Sequence, residues 1–494
     1  MEGPKRGHVP GVDRKFEVGF MRNLTMLTDL YQITMMYGYY KKNMHNQVAV
    51  YDMFFRRQAG DSGYAIVAGL EQVIDYINNI HFTEDDIDYL RSLDLFDEDF
   101  FDFLKNLKFT GEIYALEEGQ VAFPYEPLVR VKAPLCEAQL LETTILNLVN
   151  HQTLIATKAS RVVHAAQGGD VLEFGLRRAQ GPDAGIYGAR AAVIGGCSST
   201  SNVLTGQMFG LPAKGTHAHS WVMSFPTELE AFRAYAEVFP SSCMLLVDTY
   251  DTIQSGVPNA ITVFQELRQK GYEPVGIRLD SGDLAYLSKT ARKMLDEAGF
   301  ENAKIFASSD LDENIIQELK RQGAKIDVWG VGTKLITSED CPALGGVYKM
   351  SAEVVDGQLI PKIKISDNIW KITNPGYKKV VRIYSKTTDM AIADLIMLEG
   401  ETIDETKPLV IFDPVDTWKK MSISHFYTKE LLKPIFVDGK QVYQSPALLD
   451  IQKKASKELS HFWEEYKRIE KPHIYKVDLS QELYDLKTSM LNNR

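Results

Sequence analysis

The string GTHAHS at residues 215–220 places two histidines, His217 and His219, two positions apart among small side chains. Two imidazoles at this spacing on an extended segment could bind a metal ion together, but the sequence offers no third ligand at a suitable spacing. The sharper interpretation is a nucleophilic or phosphate-accepting imidazole. Such a ring needs a carboxylate that holds its tautomer, and Asp248, at the end of a neighbouring predicted strand, is the best candidate. We therefore expect a reactive histidine and no metal site.

A second string, RLDSGD at residues 278–283, concentrates charge at the end of another predicted strand. Side chains two positions apart on a strand point to the same face, so Arg278 and Asp280 are expected to face one pocket. Arg278 could pair with a carboxylate or phosphate of a substrate, and Asp280 could bind a polyhydroxyl or stabilise developing positive charge. The alternative is a local ion pair, with Asp283 as the cap of the next helix.

Glycine-rich strings mark a candidate phosphate site. The string GVGT at residues 330–333 follows a late strand, where Gly332 lets backbone N–H groups approach a phosphate and Thr333 adds a hydroxyl. Loops after late strands are the usual phosphate site of βα barrels. The pair Gly345 and Gly346 offers a second loop of close approach.

The elements that must position these strings lie in residues 141–345, where short apolar runs alternate with amphipathic stretches. The predicted strands cover residues 171–174, 192–194, 244–247, 275–277, 304–306 and 326–329, and the predicted helices cover residues 227–239, 259–270, 284–298 and 313–322. This alternation is typical of a parallel sheet or a βα barrel. The carboxyl ends of such strands face one mouth, where the polar residues that follow them would converge. These residues could instead only cap helices, but Arg177 and Arg178 at one strand end favour an anionic ligand.

Two further zones flank this one. Residues 1–140 combine a helix over residues 24–40, strands over residues 48–55 and 128–131, and an acidic helical segment over residues 83–107. Residues 346–494 contain strands over residues 379–384, 390–397 and 408–412 and a charged helix over residues 451–468. We expect the late strands to return to the sheet of the first zone, so that a second α/β domain is built from both chain ends.

The overall composition excludes several classes of protein. The formal net charge of −11 argues against a nucleic-acid partner, whose phosphates would be repelled. No apolar run reaches the length of about 18 residues that a membrane span needs. Residues 1–6 are not followed by an apolar signal core, and the 4 cysteines are scattered without a CxxC pair. We therefore expect a soluble cytoplasmic protein.

Taken together, the strings resemble those of the nicotinate phosphoribosyltransferase family of the NAD salvage pathway. The resemblance is carried by LTDLYQ at 27–32, EFGLRRAQGPD at 173–183, GTHAHS at 215–220, DTYDT at 248–252, RLDSGD at 278–283, GVGT at 330–333 and LGGVYK at 344–349. It extends from about residue 20 to about residue 420. The family implies a type II phosphoribosyltransferase fold, an irregular βα barrel beside an α/β domain assembled from both chain ends.

The resemblance also implies a reaction. Nicotinate and phosphoribosyl pyrophosphate give nicotinate mononucleotide and pyrophosphate, driven by ATP hydrolysis through a phosphohistidine. By the motif match the phosphohistidine is His219, and this match, rather than spacing, favours it over His217. Asp248 would orient the ring, Asp280 would lie by the ribose and the nicotinate nitrogen, and Mg²⁺ would arrive with ATP and phosphoribosyl pyrophosphate.

The implied binding residues surround a flat aromatic acid. Phe174 and Tyr31 would sandwich the nicotinate ring, Arg177 and Arg278 would supply cations, and Thr216 would lie in the same site. The implied contact of phosphoribosyl pyrophosphate is Thr333, next to Gly332, with the loop at Gly346 as a further phosphate contact. In this family Tyr31 reaches the barrel of a neighbouring subunit, so the resemblance implies a homodimer with shared active sites.

Other functions remain open from the sequence. The related nicotinamide enzyme holds its amide with an acidic side chain before the histidine, and the string GGCSSTSN at residues 195–202 contains no acid, which favours nicotinate. A quinolinate enzyme would use no phosphohistidine and would need more cations. A sugar-phosphate aldolase or isomerase on a βα barrel would need a Schiff-base lysine, for which Lys214 is the candidate, or a Glu/His pair at a strand end. A catalytically silent nucleotide sensor is disfavoured by the intact set of charged residues.

Overall fold

The computed structural model describes residues 22–493, and within them it leaves out the side chain of Ile369. Residues 1–6, for which the sequence analysis expects no secretion signal, lie outside the described residues. The chain has a mixed α/β fold in which a parallel sheet and an antiparallel sheet lie on either side of one long helix. No helix between residues 22 and 493 combines the length and the hydropathy that crossing a membrane requires.

The helices are α1 Leu30–Lys41, α2 Leu70–Asn78, α3 Glu84–Ser92, α4 Glu98–Lys105, α5 Leu135–Ala165, α6 Pro182–Ile194, α7 Val203–Phe209, α8 His219–Met223, α9 Glu228–Val238, α10 Val257–Gln269, α11 Leu284–Glu297, α12 Glu313–Arg321, α13 Thr333–Ile336, α14 Leu448–Ser460, α15 Glu464–Lys467 and α16 Gln481–Asn492. The strands are β1 Val48–Phe55, β2 Ala65–Ile66, β3 Glu112–Leu116, β4 Val121–Ala122, β5 Val129–Pro134, β6 Asp170–Glu173, β7 Ser199–Thr200, β8 Met244–Leu246, β9 Gly276–Leu279, β10 Lys304–Ser308, β11 Val328–Val331, β12 Gly346–Val355, β13 Gln358–Pro361, β14 Lys378–Ser385, β15 Ala391–Leu398, β16 Leu409–Phe412, β17 Lys420–Ile423, β18 Phe426–Glu430, β19 Leu432–Val437, β20 Lys440–Gln441 and β21 Val477–Leu479.

The parallel sheet carries the strings that could do chemistry. Its six strands follow the order β7-β6-β11-β10-β9-β8, and every neighbouring pair is parallel. The edge strands β7 and β8 are not hydrogen-bonded to each other in the described residues, so the ladder is open. The helices α10, α11 and α12 connect strands within this sheet, as the alternation in the sequence predicts. The polar strand ends therefore share one edge.

One predicted strand of this zone is wrong. Residues 192–194 form the last turn of α6, and the short strand β7 takes the predicted place in the sheet. Ala192, Val193 and Ile194 are all fully buried, and a short apolar run that is buried on every side has the same pattern in a helix as in a strand. The other predicted strands of the zone are confirmed to within two residues at each end.

The antiparallel sheet is assembled from distant parts of the chain. Its order is β13-β12-β1-β5-β3-β19-β20, so strands that follow residue 345 lie on both sides of strands that precede residue 135. The chain does return to the first sheet, but through β12, β13, β19 and β20 and not through the strands that the sequence indicates. Strands β14 and β15 instead form a four-stranded sheet with β18 and β21, and β16 pairs with β17 alone.

Helix α5 joins the two sheets and is absent from the sequence prediction. It contains 31 residues without glycine or proline, and the predicted division at residue 140 falls inside it. Its side chains are buried on most of its circumference, which removes the amphipathic period by which a helix is usually found. Buried Lys158 and Arg161 on this helix pair with the buried carboxylate of Glu313 at the start of α12. The helix thereby fixes the parallel sheet against the rest of the molecule.

Candidate active site

Arg278, near the end of β9, is the centre of a polar cluster at the carboxyl edge of the parallel sheet. Its Nε donates to Ser308 Oγ at 2.7 Å, one terminal nitrogen donates to Thr216 Oγ1 at 2.9 Å, and the other donates to Asp280 Oδ1 at 2.7 Å. The hydroxyl of Ser308 also donates to Asp280 Oδ1. Arg278, Asp280 and Thr216 thus lie together at this edge, and the local ion pair of Arg278 with Asp280 and the helix cap at Asp283 are both present.

His219 lies beside this cluster as the first residue of the short helix α8. Its Nδ1 is 3.3 Å from Thr249 Oγ1, and its Nε2 is 3.7 Å from Asp280 Oδ2. The side chain is 39% exposed, so a ligand can reach the ring. Burial raises the pKa of Asp280, but the hydrogen bond from the Ser308 hydroxyl and the positive charge of Arg278 outweigh it and hold that pKa below its ordinary value. The imidazole therefore faces an ionised carboxylate.

His217 has the opposite environment, although it is only two residues away. Its Nε2 accepts the backbone N–H of Leu246 at 3.2 Å, and its ring packs edge-on against Tyr235 at 4.6 Å between centroids. The ring is buried, and burial lowers the pKa of His217 to about 4. A neutral ring whose acceptor nitrogen is occupied by a backbone N–H has a packing role. The geometry thus distinguishes the two histidines, which spacing could not do.

Asp248 does not contact the ring of His219 in this structure. Its Oδ2 accepts the backbone N–H of Asp280 at 2.8 Å and the hydroxyl of Ser281 at 2.7 Å. Its Oδ1 is buried and has no hydrogen-bond partner among the described residues. Asp248 therefore ties the end of β8 to the loop after β9, and the side chains next to the imidazole are Thr249 and Asp280.

An aromatic wall stands beside Arg278. The rings of Phe174 and Phe306 are stacked with centroids 5.6 Å apart, and the Arg278 guanidinium carbon is 5.8 Å from each centroid. Gly330 lies between the two rings, since a Cβ there would be 2.8 Å from Phe306 and 3.0 Å from Phe174. The first glycine of GVGT thus makes room for the aromatic pair.

The remaining predicted residues of the parallel sheet lie around this wall. Gly332 precedes α13, and a Cβ at this position would be 3.2 Å from the carbonyl oxygen of Phe174. Thr333 is the first residue of α13. Arg177 is exposed in the 3₁₀ turn Leu176–Arg178 that directly follows Phe174. Of these residues Arg177 is exposed, and Gly332 and Thr333 are half-buried.

Tyr31 and Gly346 lie elsewhere. Tyr31 is a 48% exposed residue of α1, where its neighbours are Asp29, Glu142 and Thr143. Gly346 begins β12 and pairs with Phe55 of the antiparallel sheet. A Cβ at position 346 would collide with the side-chain oxygen of Asn150, so any other residue there would need the Asn150 side chain to move.

A cluster of basic side chains accompanies Gly346, and the sequence prediction missed it. We call Arg56, Lys349 and Lys364 the cationic face. Burial and the nearby charges of Lys364 and Arg56 lower the pKa of Lys349, although Glu142 raises it. Arg56 follows β1 directly, and its Nε is buried without a hydrogen-bond partner in the described chain. The register of β1 with β12, which sets Asp52 opposite Lys349, creates this cluster, so no local pattern could have shown it.

Comparisons with known proteins agree with this arrangement. The chain matches the models of the nicotinate phosphoribosyltransferase N-terminal domain at residues 26–150, of the nicotinate phosphoribosyltransferase family at residues 170–410, and of the nicotinate phosphoribosyltransferase C-terminal domain at residues 377–487. A nicotinate phosphoribosyltransferase of Bacillus subtilis is 50% identical, and the alignment covers 96% of this chain and 97% of that protein. The chain belongs to the nicotinate phosphoribosyltransferase family.

Two solved structures have a fold similar to that of this chain. The crystal structure of human nicotinic acid phosphoribosyltransferase matches with a TM-score of 0.84 and 31% identity, over 94% of this chain and 99% of that one. A nicotinate-nucleotide pyrophosphorylase of Pyrococcus furiosus shares the fold, with a TM-score of 0.69 and 22% identity over 91% of this chain and 98% of that one. The predicted family and the mixed α/β class are confirmed.

The structure adds three residues to the predicted site of this nicotinate phosphoribosyltransferase family member. Thr249 contacts His219, Ser308 bonds both Arg278 and Asp280, and Phe306 stacks on Phe174. Two of them, Thr249 and Ser308, are polar strand-end residues of the kind that the sequence singles out. Phe306 belongs to the apolar part of β10, and nothing in the sequence distinguishes it from other core aromatic residues.

Proposed function

We propose that this protein is an ATP-driven nicotinate phosphoribosyltransferase that works through a phosphohistidine at His219. The observation that carries the proposal is the half-exposed His219 ring, held between Thr249 and the ionised Asp280 next to Arg278. An imidazole that faces a carboxylate is a better nucleophile and a better acceptor of a phosphoryl group. Its nitrogen would attack the γ-phosphorus of ATP, forming a P–N bond as the P–O bond to ADP breaks.

Arg278 is the proposed partner of the nicotinate carboxylate. A guanidinium has five N–H donors, and in the described contacts Ser308, Thr216 and Asp280 each take one. The remaining donors can bind a carboxylate, while the Phe174 ring offers a flat surface to the pyridine. We assign Arg177, which is exposed in the 3₁₀ turn that follows Phe174, as a second cation that binds the substrate anions.

Asp280 is proposed to act on the second chemical step. The pyridine nitrogen of nicotinate bonds to the anomeric carbon of phosphoribosyl pyrophosphate, and pyrophosphate leaves with the electrons of the broken C–O bond. Positive charge develops on the ribose as that bond breaks. The low pKa of Asp280 keeps a negative charge beside it. Asp248 takes the role of holding the Asp280 loop, as its hydrogen bonds indicate.

Gly332 and Thr333 are the proposed phosphate contacts at the parallel sheet, because the loop ends in backbone N–H groups and a hydroxyl. Residues 22–493 contain no group of three or more His, Cys, Asp or Glu side chains arranged to hold a metal ion. Mg²⁺ is proposed to arrive with ATP and phosphoribosyl pyrophosphate, whose phosphates it would neutralise. An irregular βα barrel is the proposed architecture of residues 141–345, supported by six parallel strands whose connections include the helices α10, α11 and α12.

A homodimer with shared active sites is the proposed assembly, and the protein is proposed to act in the cytoplasm. Tyr31 and the cationic face lie on α1 and on the antiparallel sheet, whereas His219 and Arg278 lie at the parallel sheet. A second copy of the chain could bring Tyr31 over the nicotinate ring and the cationic face toward the phosphates. Gly346, at the start of β12 beside Phe55, would accompany them.

The proposal is tested by comparing nicotinate with nicotinamide as the acceptor of the phosphoribosyl group. Purified protein with ATP and phosphoribosyl pyrophosphate is expected to convert nicotinate to its mononucleotide and to turn over nicotinamide far more slowly. Glu173 contacts Thr200, which lies within residues 195–202. Its carboxylate is buried and accepts the Thr200 hydroxyl, so it does not offer an acceptor to the amide of nicotinamide. Preference for nicotinamide would contradict the proposal. The alternative aldolase or isomerase would need a Schiff-base lysine or a Glu/His pair at a strand end, and Lys214, the lysine candidate, is exposed.

A further inference from the structure

Glu173 is a fully buried carboxylate directly behind the aromatic wall. One carboxylate oxygen accepts the backbone N–H of Gly175, and the other accepts the hydroxyl of Thr200 at 2.6 Å. It forms no ion pair with any of the described residues. Burial raises the pKa of Glu173, and the two hydrogen bonds lower it in part. A buried acid with only neutral partners costs free energy, so its place at this position needs a reason beyond packing.

The two bonds of Glu173 join the elements that carry the proposed site. Glu173 ends β6, and Gly175 opens the turn that follows Phe174 and leads to Arg177. Thr200 belongs to β7, and its carbonyl oxygen accepts the backbone N–H of Lys214, which precedes the string GTHAHS. A single side chain therefore connects the turn of the aromatic wall with the strand on which the histidine loop rests.

The local packing leaves this turn dependent on Glu173. A Cβ at Gly175 would be 2.9 Å from the Glu173 carboxylate, so the carboxylate lies directly against the turn. The peptide group between Glu173 and Phe174 is held by the main chain on both sides, because Phe174 N–H donates to Val331 at 2.8 Å and Ser201 N–H donates to the Glu173 carbonyl at 3.0 Å. Beyond Phe174 the turn is closed by the bond from Gly175 N–H to the Glu173 carboxylate and by the bond from Arg178 N–H to the Gly175 carbonyl at 2.8 Å.

We propose that Glu173 is a positioning residue for the nicotinate pocket, which holds Phe174 and the turn after it against β7 through Gly175 and Thr200. The inference rests on the proposed function, because it assigns the Phe174 wall to nicotinate. Glu173 acts by holding the backbone in place through its two hydrogen bonds, rather than through its charge. Glutamine in its place could accept from Gly175 and donate to the Thr200 hydroxyl, which can rotate to accept. Leucine could do neither.

The test compares Glu173→Gln with Glu173→Leu by steady-state kinetics. Glu173→Leu is expected to raise the nicotinate KM by about tenfold or more with the ATP KM changed less than about threefold, since one unpaired buried donor costs roughly one factor of ten in binding. Glu173→Gln is expected to stay within about threefold of the wild type for both constants. An unchanged nicotinate KM in Glu173→Leu, or equal rises in both constants, would overturn the proposal.

A second pair guards against a variant that does not fold. Thr200→Val removes one partner of Glu173 and the acceptor of the Asn202 N–H at nearly constant volume, and Thr200→Ser keeps the hydroxyl for both bonds. Only Thr200→Val should raise the nicotinate KM, and equal constants for the two variants would overturn the role of Glu173. The wild-type assay separates this outcome from failure of the proposed function. If the wild type forms nicotinate mononucleotide and the variants match it, only the positioning role is lost.

Discussion

The edge of the parallel sheet and the cationic face of the antiparallel sheet differ in how far their positive charges are balanced by carboxylates. At the parallel sheet the guanidinium of Arg278 has a carboxylate partner in Asp280, and the imidazole of His219 faces the same carboxylate. At the cationic face burial, together with the like charges of Lys364 and Arg56, lowers the pKa of Lys349 although Glu142 lies beside it. The first region is organised within one chain, whereas the second has an excess of positive charge that an anion from outside the chain would balance.

The largest expected effect concerns the two histidines of the first region. His219→Ala should abolish the acid-labile, base-stable phosphoprotein that γ-labelled ATP gives with the wild type, because the exposed acceptor nitrogen is gone. His217→Gln is the matched control. It should keep the label, since glutamine can still accept the Leu246 N–H. Labelling that survives in His219→Ala and disappears in His217→Gln would reverse the assignment.

The next effect sharpens the role of the paired arginine. Arg278→Ala should raise the nicotinate KM by about 30-fold to 900-fold, the equivalent of about 2–4 kcal/mol for a lost charge-assisted pair. The ATP KM should change far less. Arg278→Lys keeps the charge but loses the fork and should show a smaller rise. Steady-state kinetics with each substrate varied checks this, and parallel changes in both constants count against a nicotinate contact.

A mixed dimer would test whether the two regions meet across subunits. His219→Ala and Tyr31→Ala each should inactivate their homodimers. Coexpressed and purified through two different tags, a heterodimer of the two variants should recover about half of the wild-type activity, because one of its two shared sites has both residues intact. Activity of the heterodimer no higher than that of the single variants would show that each site is built within one subunit.

The smallest effect is a pH dependence of stability. His217 has a folded pKa of about 4 against 6.5 for an ordinary histidine. Between these values the unfolded chain binds a proton that the folded chain does not, so stability falls as the pH falls, by about 1.4 kcal/mol per unit. Between pH 6.5 and 5 the wild type should lose about 2 kcal/mol relative to His217→Gln. Denaturant unfolding at the two pH values measures this, and parallel losses would contradict a buried neutral ring.

The sequence predicted the parallel zone well for a physical reason. Its strands are short apolar runs between amphipathic helices, and polar residues follow them, so each element has a local signature. Helix α5 and strand β7 have no such local signature. The helix is apolar on nearly all sides, and β7 is a two-residue strand in a polar string. Lys349 likewise gains its neighbour Arg56 from a chain segment far away in sequence.

The sequence by itself determined the family, the fold class and the residue types of the site, because long ordered strings such as EFGLRR and RLDSGD record them directly. Tertiary structure decided which of two equivalent histidines is available. His217 is buried because β8 presents the Leu246 N–H to it, and His219 is left exposed beside Asp280. It also decided that Asp248 holds the loop of Asp280, and that Tyr31 lies apart from Phe174. Hydrogen bonds between distant segments fix each of these outcomes, and such bonds have no local signature in a sequence.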